Sequence, residues 1–303
     1  MPDNRLAFVF PAFTGDFTNP PGKNIPGFEE QFNTFLQTAA RTVEPAFSDF
    51  SLDNLTAPQN ELQTQYLTYI YSCTVSVILR KNNILPSFTA GYSMGIYAAL
   101  FDAGVVSFEA GLELIRVAYH AMYASLKNYQ FGMGTVIGLD RDDIQRLISH
   151  AGLRVEIANQ NASHSFVVSG FYEDLINFLD LSRVAGALHV RNLTVSIPYH
   201  SRFLKVGALE FERKISHIRF ASPKSGIISL IDQTILVSGD SLRSEVIRNL
   251  FHALNWYNTT RIMVEQHVGI FVECGASKDL VKNAKFVVGD YRFYTFDSMQ
   301  PVP

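Results

Sequence analysis

Ser93 stands at the centre of the run Thr89-Ala90-Gly91-Tyr92-Ser93-Met94-Gly95-Ile96, with a glycine two positions before it and another two after. Glycines at those places let a strand and a helix approach closely on either side of a sharp turn, and such a turn leaves the central side chain exposed at its tip. A serine held this way is a candidate nucleophile. Its hydroxyl is almost fully protonated at neutral pH, so it needs a base. Eight histidines are available, and His150, His164, His217 and His252 sit in polar or helical settings that suit solvated or capping roles. His200 differs, because Pro198 fixes the approach of Val195-Ser196-Ile197-Pro198-Tyr199-His200-Ser201 to it. It is the candidate base, with a cap on the following helix as the alternative role.

The elements around these residues are readable. Ile84–Phe88 is a short apolar segment leading into the serine turn, and Ile96-Tyr97-Ala98-Ala99-Leu100 reads as the first turns of a buried helix. Leu6–Phe10 is apolar at every position, as for a central strand covered on both faces. The loop that leaves it, Pro11–Asp16, falls where open α/β sheets place ligand sites. A surface loop is expected over Asn19–Gly27 and a helix over Phe28–Thr42. Another helix, over Asn60–Leu79, is apolar on much of its surface. Ser107 is a plausible N-cap for a helix reaching about Ser125. Gly132-Met133-Gly134 reads as a hinge, followed by strand, helix, strand, strand, helix and strand over 135–139, 141–151, 155–159, 166–170, 172–181 and 187–194. That βαββαβ order is a split βαβ unit, expected as an insertion. A helix is expected from Ser201 to about Ile215, a strand over 227–231, a helix capped by Ser241 or Asp240, and a strand over 269–273.

Bulk properties narrow the function classes. The 303 residues are 47% hydrophobic and 17% charged, the balance of an ordinary globular protein. A formal net charge of −3 provides no field for nucleic acid or an anionic membrane. Cys73 and Cys274 are the only cysteines, which excludes a disulfide framework and suits small buried hydrophobes. The N-terminus opens directly into the first apolar run without the pattern of a cleavable leader, and no stretch reaches the roughly 18 apolar residues of a membrane span. A cytoplasmic location is expected. Neither clustered metal ligands nor a phosphate-binding glycine loop ending in Lys-Ser or Lys-Thr occurs, so no metal or other cofactor is expected.

Several further motifs occur in order with these. They are Phe8-Val9-Phe10-Pro11, Ala103-Gly104-Val105-Val106-Ser107-Phe108, Val155-Glu156-Ile157-Ala158-Asn159-Gln160-Asn161 and Phe271-Val272-Glu273-Cys274-Gly275. Together with the Ser93 and His200 motifs they resemble the malonyl-CoA:acyl carrier protein transacylase family and the related polyketide synthase acyltransferases, over nearly the whole chain. The resemblance implies an α/β fold, with an α/β-hydrolase-like large domain over 1–126 and 201–303 and an inserted ferredoxin-like α+β subdomain over 127–200. It also implies acyl transfer through an acyl-Ser93 intermediate, with His200 as base and the backbone carbonyl of Asn249 orienting it where the family more often has Gln. The backbone amides of Phe13 and Met94 would form the oxyanion hole. Gln65, Tyr92, Ala118, Asn159 and Tyr199 would shape the substrate pocket, and the partners would be acyl-CoA and an acyl carrier protein with its phosphopantetheine arm.

Departures from the family pattern bear on the substrate. Malonyl-transferring members carry an arginine on the helix after the serine that grips the malonyl carboxylate bidentately, and Ala118 stands at that position. Arg116 is no substitute, since two residues along a helix turn the side chain by about 200°. Phe13 replaces the usual glutamine of the first loop, and Ile96 a common glutamate. An unpaired carboxylate in a dry gorge costs several kcal/mol, so a non-malonyl acyl group is expected, passed to a carrier thiol or to water in fatty-acid or polyketide biosynthesis. Malonyl transfer is one alternative, supported by the overall resemblance and by Tyr199, an aromatic where malonyl-selective members carry Phe. A catalytically silent docking module is the other. Arg202, Lys205, Arg213 and Lys214 could receive an acidic carrier protein, or could be a solvated helix face.

Overall fold

Side-chain parity along the first strand divides the interior. In the computed structural model, which describes residues 5–13, 17, 25–52, 60–127 and 129–298, strand β1 (Arg5–Phe10) sends Phe8 and Phe10 into a large core on one face and Ala7 and Val9 into a smaller one on the other. Successive strand residues point to opposite faces, so a run apolar at every position must be covered on both. Helices α1 (Phe28–Thr42) and α2 (Glu61–Lys81) follow, then strand β2 (Phe88–Gly91) and helices α3 (Gly95–Asp102) and α4 (Phe108–Ser125).

Next come β3 (Phe131–Ile137), α5 (Arg141–His150), β4 (Val155–Ala162), β5 (Ser165–Phe171), α6 (Tyr172–Val184) and β6 (His189–Leu193). The chain closes with α7 (Lys205–Lys214), β7 (Gly226–Ile228), β8 (Ile235–Leu236), α8 (Gly239–Asn249), β9 (Leu254–Asn255), α9 (Trp256–Glu265), β10 (Val268–Glu273), α10 (Asp279–Ala284) and β11 (Arg292–Thr295). Two sheets result. The larger has the order β11-β10-β1-β2-β7-β8, parallel except for the antiparallel β7–β8 edge. The smaller has the order β6-β3-β5-β4-β9, in which β3 to β6 are antiparallel and make the ferredoxin-like unit with α5 and α6. The molecule is thus a large α/β domain with a ferredoxin-like subdomain.

The structure differs from the sequence reading in several places. The strand before Ser93 is Phe88–Gly91, which begins at the last residue of the apolar segment Ile84–Phe88. Gly132 and Gly134 are strand residues of β3, not a hinge: a Cβ on either would fall 2.9 Å from a leucine of α6, Leu175 and Leu179 respectively. α6 lies close against the strand there, so a side chain at either position would displace a leucine methyl. Helix α8 is capped by Ser238, whose hydroxyl accepts from the Ser241 amide in a reciprocal capping box. Strands β8, β9 and β11 and helices α9 and α10 were not anticipated. Most of the expected loop over residues 19–27, and residues 14–16 of the first loop, lie outside the described residues.

Candidate active site

The turn between β2 and α3 is held by close backbone packing. A Cβ on Gly91 would sit 2.3 Å from the Ile96 backbone, and one on Gly95 would sit 2.2 Å from the Phe10 carbonyl oxygen. Neither position tolerates a side chain without movement of main chain. Tyr92 N–H donates to the Phe10 carbonyl at 2.8 Å, tying the turn to the end of β1. Ser93 itself has φ 55°, the left-handed region that costs a non-glycine residue energy and persists at functional turns.

His200 comes from the connection between β6 and α7, a hundred residues away in sequence, and also has positive φ, 61°. Its amide donates to the Leu250 carbonyl at 2.9 Å, and Ser201 Oγ donates to the Pro198 carbonyl at 2.6 Å. The ring is thereby brought to Ser93, with Ser93 Oγ to His200 Nε2 at 2.7 Å. On the other side His200 Nδ1 lies 2.5 Å from the Asn249 carbonyl oxygen. A carbonyl only accepts, so Nδ1 carries the proton and Nε2 presents its lone pair to the serine hydroxyl. Burial pushes the His200 pKa down to about 4, against a smaller upward effect of the Asn249 hydrogen bond. The imidazole is therefore neutral at pH 7. Among the described residues no aspartate or glutamate bonds to His200, whose ring lies between Ser93 Oγ and the Asn249 main-chain carbonyl.

Beside the pair lies a cavity of about 20 Å³, lined by Phe13, Gln65, Met94, Tyr97, Ala118, Tyr119, Tyr199, Asn249 and Leu250 along with Ser93 and His200. Space of that size holds roughly one water. Phe13 and Met94 flank it, and the Met94 amide lies at the first turn of α3, where helix N–H groups have no intrahelical acceptor. Among the expected pocket residues, Gln65, Ala118 and Tyr199 lie in the wall. Tyr92 and Asn159 do not. Tyr92 turns away, donating to Asn161 Oδ1 at 2.9 Å and packing edge-on to Trp256, and Asn159 Oδ1 accepts from the Trp256 amide at 3.5 Å.

Three wall residues went unnoticed in the sequence: Tyr97, Tyr119 and Leu250. Tyr97 was in principle findable, four residues after Ser93 and hence one helical turn along α3. Arg116, two residues from Ala118, points elsewhere and grips Glu113 bidentately, the shortest contact being 2.7 Å. The basic residues after His200 are largely paired: Arg202 with Glu156 at 2.7 Å, and Arg213 and Lys214 with Glu210 at 2.8 and 3.3 Å. Among the described residues no helix is long and apolar enough to cross a membrane.

Comparison with known proteins bears on this arrangement. No family model matches the chain. The malonyl CoA-acyl carrier protein transacylase of Staphylococcus aureus strain MSSA476 is 25% identical over 303 residues, an alignment spanning 99% of this chain and 97% of that protein. The polyketide biosynthesis protein ThaF of Burkholderia thailandensis is 31% identical over 224 residues, covering 72% of this chain and 19% of that much longer protein. In structure, the malonyl CoA-acyl carrier protein transacylase of Coxiella burnetii superposes with a TM-score of 0.87 over 97% of this chain and 94% of its own, at 23% identity.

Proposed function

Because the chain belongs to the family of malonyl-CoA:acyl carrier protein transacylases and polyketide synthase acyltransferases, we propose that it carries acyl groups on Ser93 between CoA and the phosphopantetheine thiol of an acyl carrier protein, in fatty-acid or polyketide biosynthesis. The observation that carries this reading is the 2.7 Å contact from Ser93 Oγ to the unprotonated Nε2 of His200. In the proposed reaction the serine oxygen attacks the thioester carbonyl carbon while Nε2 takes its proton. The oxyanion forms against the amides of Phe13 and Met94, a donor of that kind being worth roughly 100- to 1000-fold in rate. Collapse expels the thiolate, which recovers the proton from His200 and leaves acyl-Ser93. A second thiol, deprotonated by His200, reverses these steps and carries the acyl group away.

Names and pocket point to different acyl groups. Malonyl is the group supported by the S. aureus relative, which matches along nearly its full length. An uncharged acyl group is supported by the wall itself, where Ala118 lies and, among the described residues, neither lysine nor arginine does. The small cavity adds that the uncharged group is short, since a chain of many carbons would require the aromatic wall to open. Water in place of the second thiol would turn the same site into a hydrolase of acylated carriers.

Intact-protein mass spectrometry tests the scheme. The chain is incubated separately with malonyl-CoA, acetyl-CoA and a medium-chain acyl-CoA, with and without carrier protein. Adducts on Ser93 that pass to the carrier establish transfer, and the mass of the adduct identifies the acyl group. An adduct lost to water while the carrier remains unacylated would replace transfer with hydrolysis. Adducts that persist in Ser93→Ala would remove the mechanism.

A further inference from the structure

Helix α2 begins with Glu61, and its carboxylate lies one hydrogen bond behind the acyl cavity. Tyr199 Oη donates to Glu61 Oε1 at 2.8 Å. Gln65 Nε2 donates to the same carboxylate oxygen at 3.2 Å and to Tyr199 Oη at 3.0 Å. Gln65 and Tyr199 both line the cavity, so two wall residues have their hydrogen-bond donors engaged with the acid or with one another. A third wall residue, Tyr119, has its pKa raised first by burial and then by the Glu61 charge. Among the described residues Glu61 forms no ion pair, although its place in the first turn of a helix favours an anion.

A helix-terminal acid needs only solvent and the helix N-terminus. This one also receives a tyrosine hydroxyl and a glutamine amide from a catalytic cavity, which is more than the helix requires. For an entering acyl group the consequence is twofold. The N–H groups of Gln65 and the O–H of Tyr199, which could otherwise have received a carboxylate, are already engaged. Behind them stands the Glu61 carboxylate, whose pKa burial raises and the hydrogen bonds from Tyr199 and Gln65 lower; in a partly desolvated wall its repulsion of another carboxylate is much less screened than in water.

We infer that Glu61 is a specificity-determining residue of the acyl pocket: by engaging Gln65 and Tyr199 and placing its own negative charge behind them, it admits uncharged acyl groups to Ser93 and disfavours those with a free carboxylate. This rests on the acyl-Ser93 reading above and decides between its two acyl classes.

The test compares the wild-type chain with Glu61→Gln, which keeps an acceptor for Tyr199 but removes the charge. Initial rates of Ser93 acylation are followed by intact mass with malonyl-CoA and acetyl-CoA. The wild type is expected to favour acetyl, and Glu61→Gln to raise the malonyl-to-acetyl ratio by about tenfold or more, the size of a like-charge interaction in a partly buried setting. An unchanged ratio in a variant that keeps the wild-type melting temperature overturns the inference, as does a wild type that already prefers malonyl. Two fluorophosphonates, one with a neutral alkyl tail and one with a terminal carboxylate, repeat the comparison without any thioester. If CoA thioesters fail but the neutral probe labels Ser93 faster, and Glu61→Gln removes the difference, the charge filter stands and only the thioester reading falls. Equal labelling by both probes in the wild type overturns the filter, and a serine that nothing labels removes both.

Discussion

A serine hydroxyl attacks a carbonyl readily at neutral pH only while a base beside it holds an unprotonated lone pair, and at His200 that condition is met by burial. Its pKa of about 4, with the ring 5% exposed, keeps Nε2 unprotonated across the physiological range. The rate of Ser93 acylation by a neutral thioester is therefore expected to stay level from pH 8 down to about 5. Below about pH 4 it should fall tenfold per unit, because each further unit protonates nine-tenths of the remaining base. A midpoint near the ordinary 6.5 would show that the ring is solvated in the working enzyme. Ala118 supports a second prediction at this scale. It lies in the cavity wall while Arg116, two residues earlier, is committed to Glu113. Ala118→Arg should raise malonyl occupancy of Ser93 relative to acetyl by about tenfold or more, the worth of a charge-assisted bidentate contact, and an unchanged ratio in the mass assay would place that side chain outside the acyl site.

The turn from β2 to α3 owes its shape to two glycines, and the backbone atoms they touch leave no flexible side chain to yield. Gly95→Ala would bring a methyl to 2.2 Å from the Phe10 carbonyl oxygen. Overpacking of this kind costs about 1–3 kcal/mol or more, and moving the nucleophile by even 1 Å costs about 100-fold. Gly95→Ala is expected to lose both, read as a lower denaturation midpoint and a slower acylation rate. A variant with wild-type acylation would show that Ser93 does not depend on this contact. These glycines were legible in sequence because they bracket a serine between a strand and a helix. Gly132 and Gly134 were misread as a hinge for a related reason: glycine signals close approach as well as freedom, and nothing local says that α6 presses Leu175 and Leu179 onto β3. Elements were legible where apolar periodicity ran long, as in α1, α2 and α4. The two-residue strands β8 and β9 carry no period at all: β8 exists only as the return of a hairpin with β7, and β9 only through its pairing with the distant β4. Tyr92 and Asn159 show the same limit at the site. The resemblance puts both in the pocket, whereas Tyr92 packs on Trp256 and Asn159 accepts from the Trp256 amide, contacts with a helix, α9, that the sequence does not announce.

Among the titratable groups that the fold buries, Glu273 and His200 have effects on stability that oppose each other. Glu273 ends β10 beside β1, is 0% exposed and has a pKa pushed up to about 7 by that burial, although the amides of Leu280 and Val281 and the Ser277 hydroxyl all donate to it. Between its ordinary 4.5 and about 7 the folded chain holds a proton that the unfolded chain has lost, so this group contributes stability in acid that is lost as pH rises through that window. His200 does the reverse. Between about 4 and its ordinary 6.5 the unfolded chain holds a proton that the folded chain excludes, so stability is lost as pH falls. At ~1.4 kcal/mol per pKa unit each effect amounts to about 3 kcal/mol, and over the pH range they share the two nearly cancel. Removing either one should expose the other. In Glu273→Gln the denaturation free energy is expected to fall by about 3 kcal/mol more than in the wild type on going from pH 7 to 4.5, and in His200→Gln it should rise by a similar amount over the same interval. The readout is the slope of stability against pH, so it survives any constant loss that the substitutions cause. Parallel slopes in all three proteins would mean that both groups are hydrated in the folded state. For His200 that result would also undo the premise of the kinetic profile, since the burial that makes the imidazole a free base at neutral pH is the same burial that makes it a cost in acid.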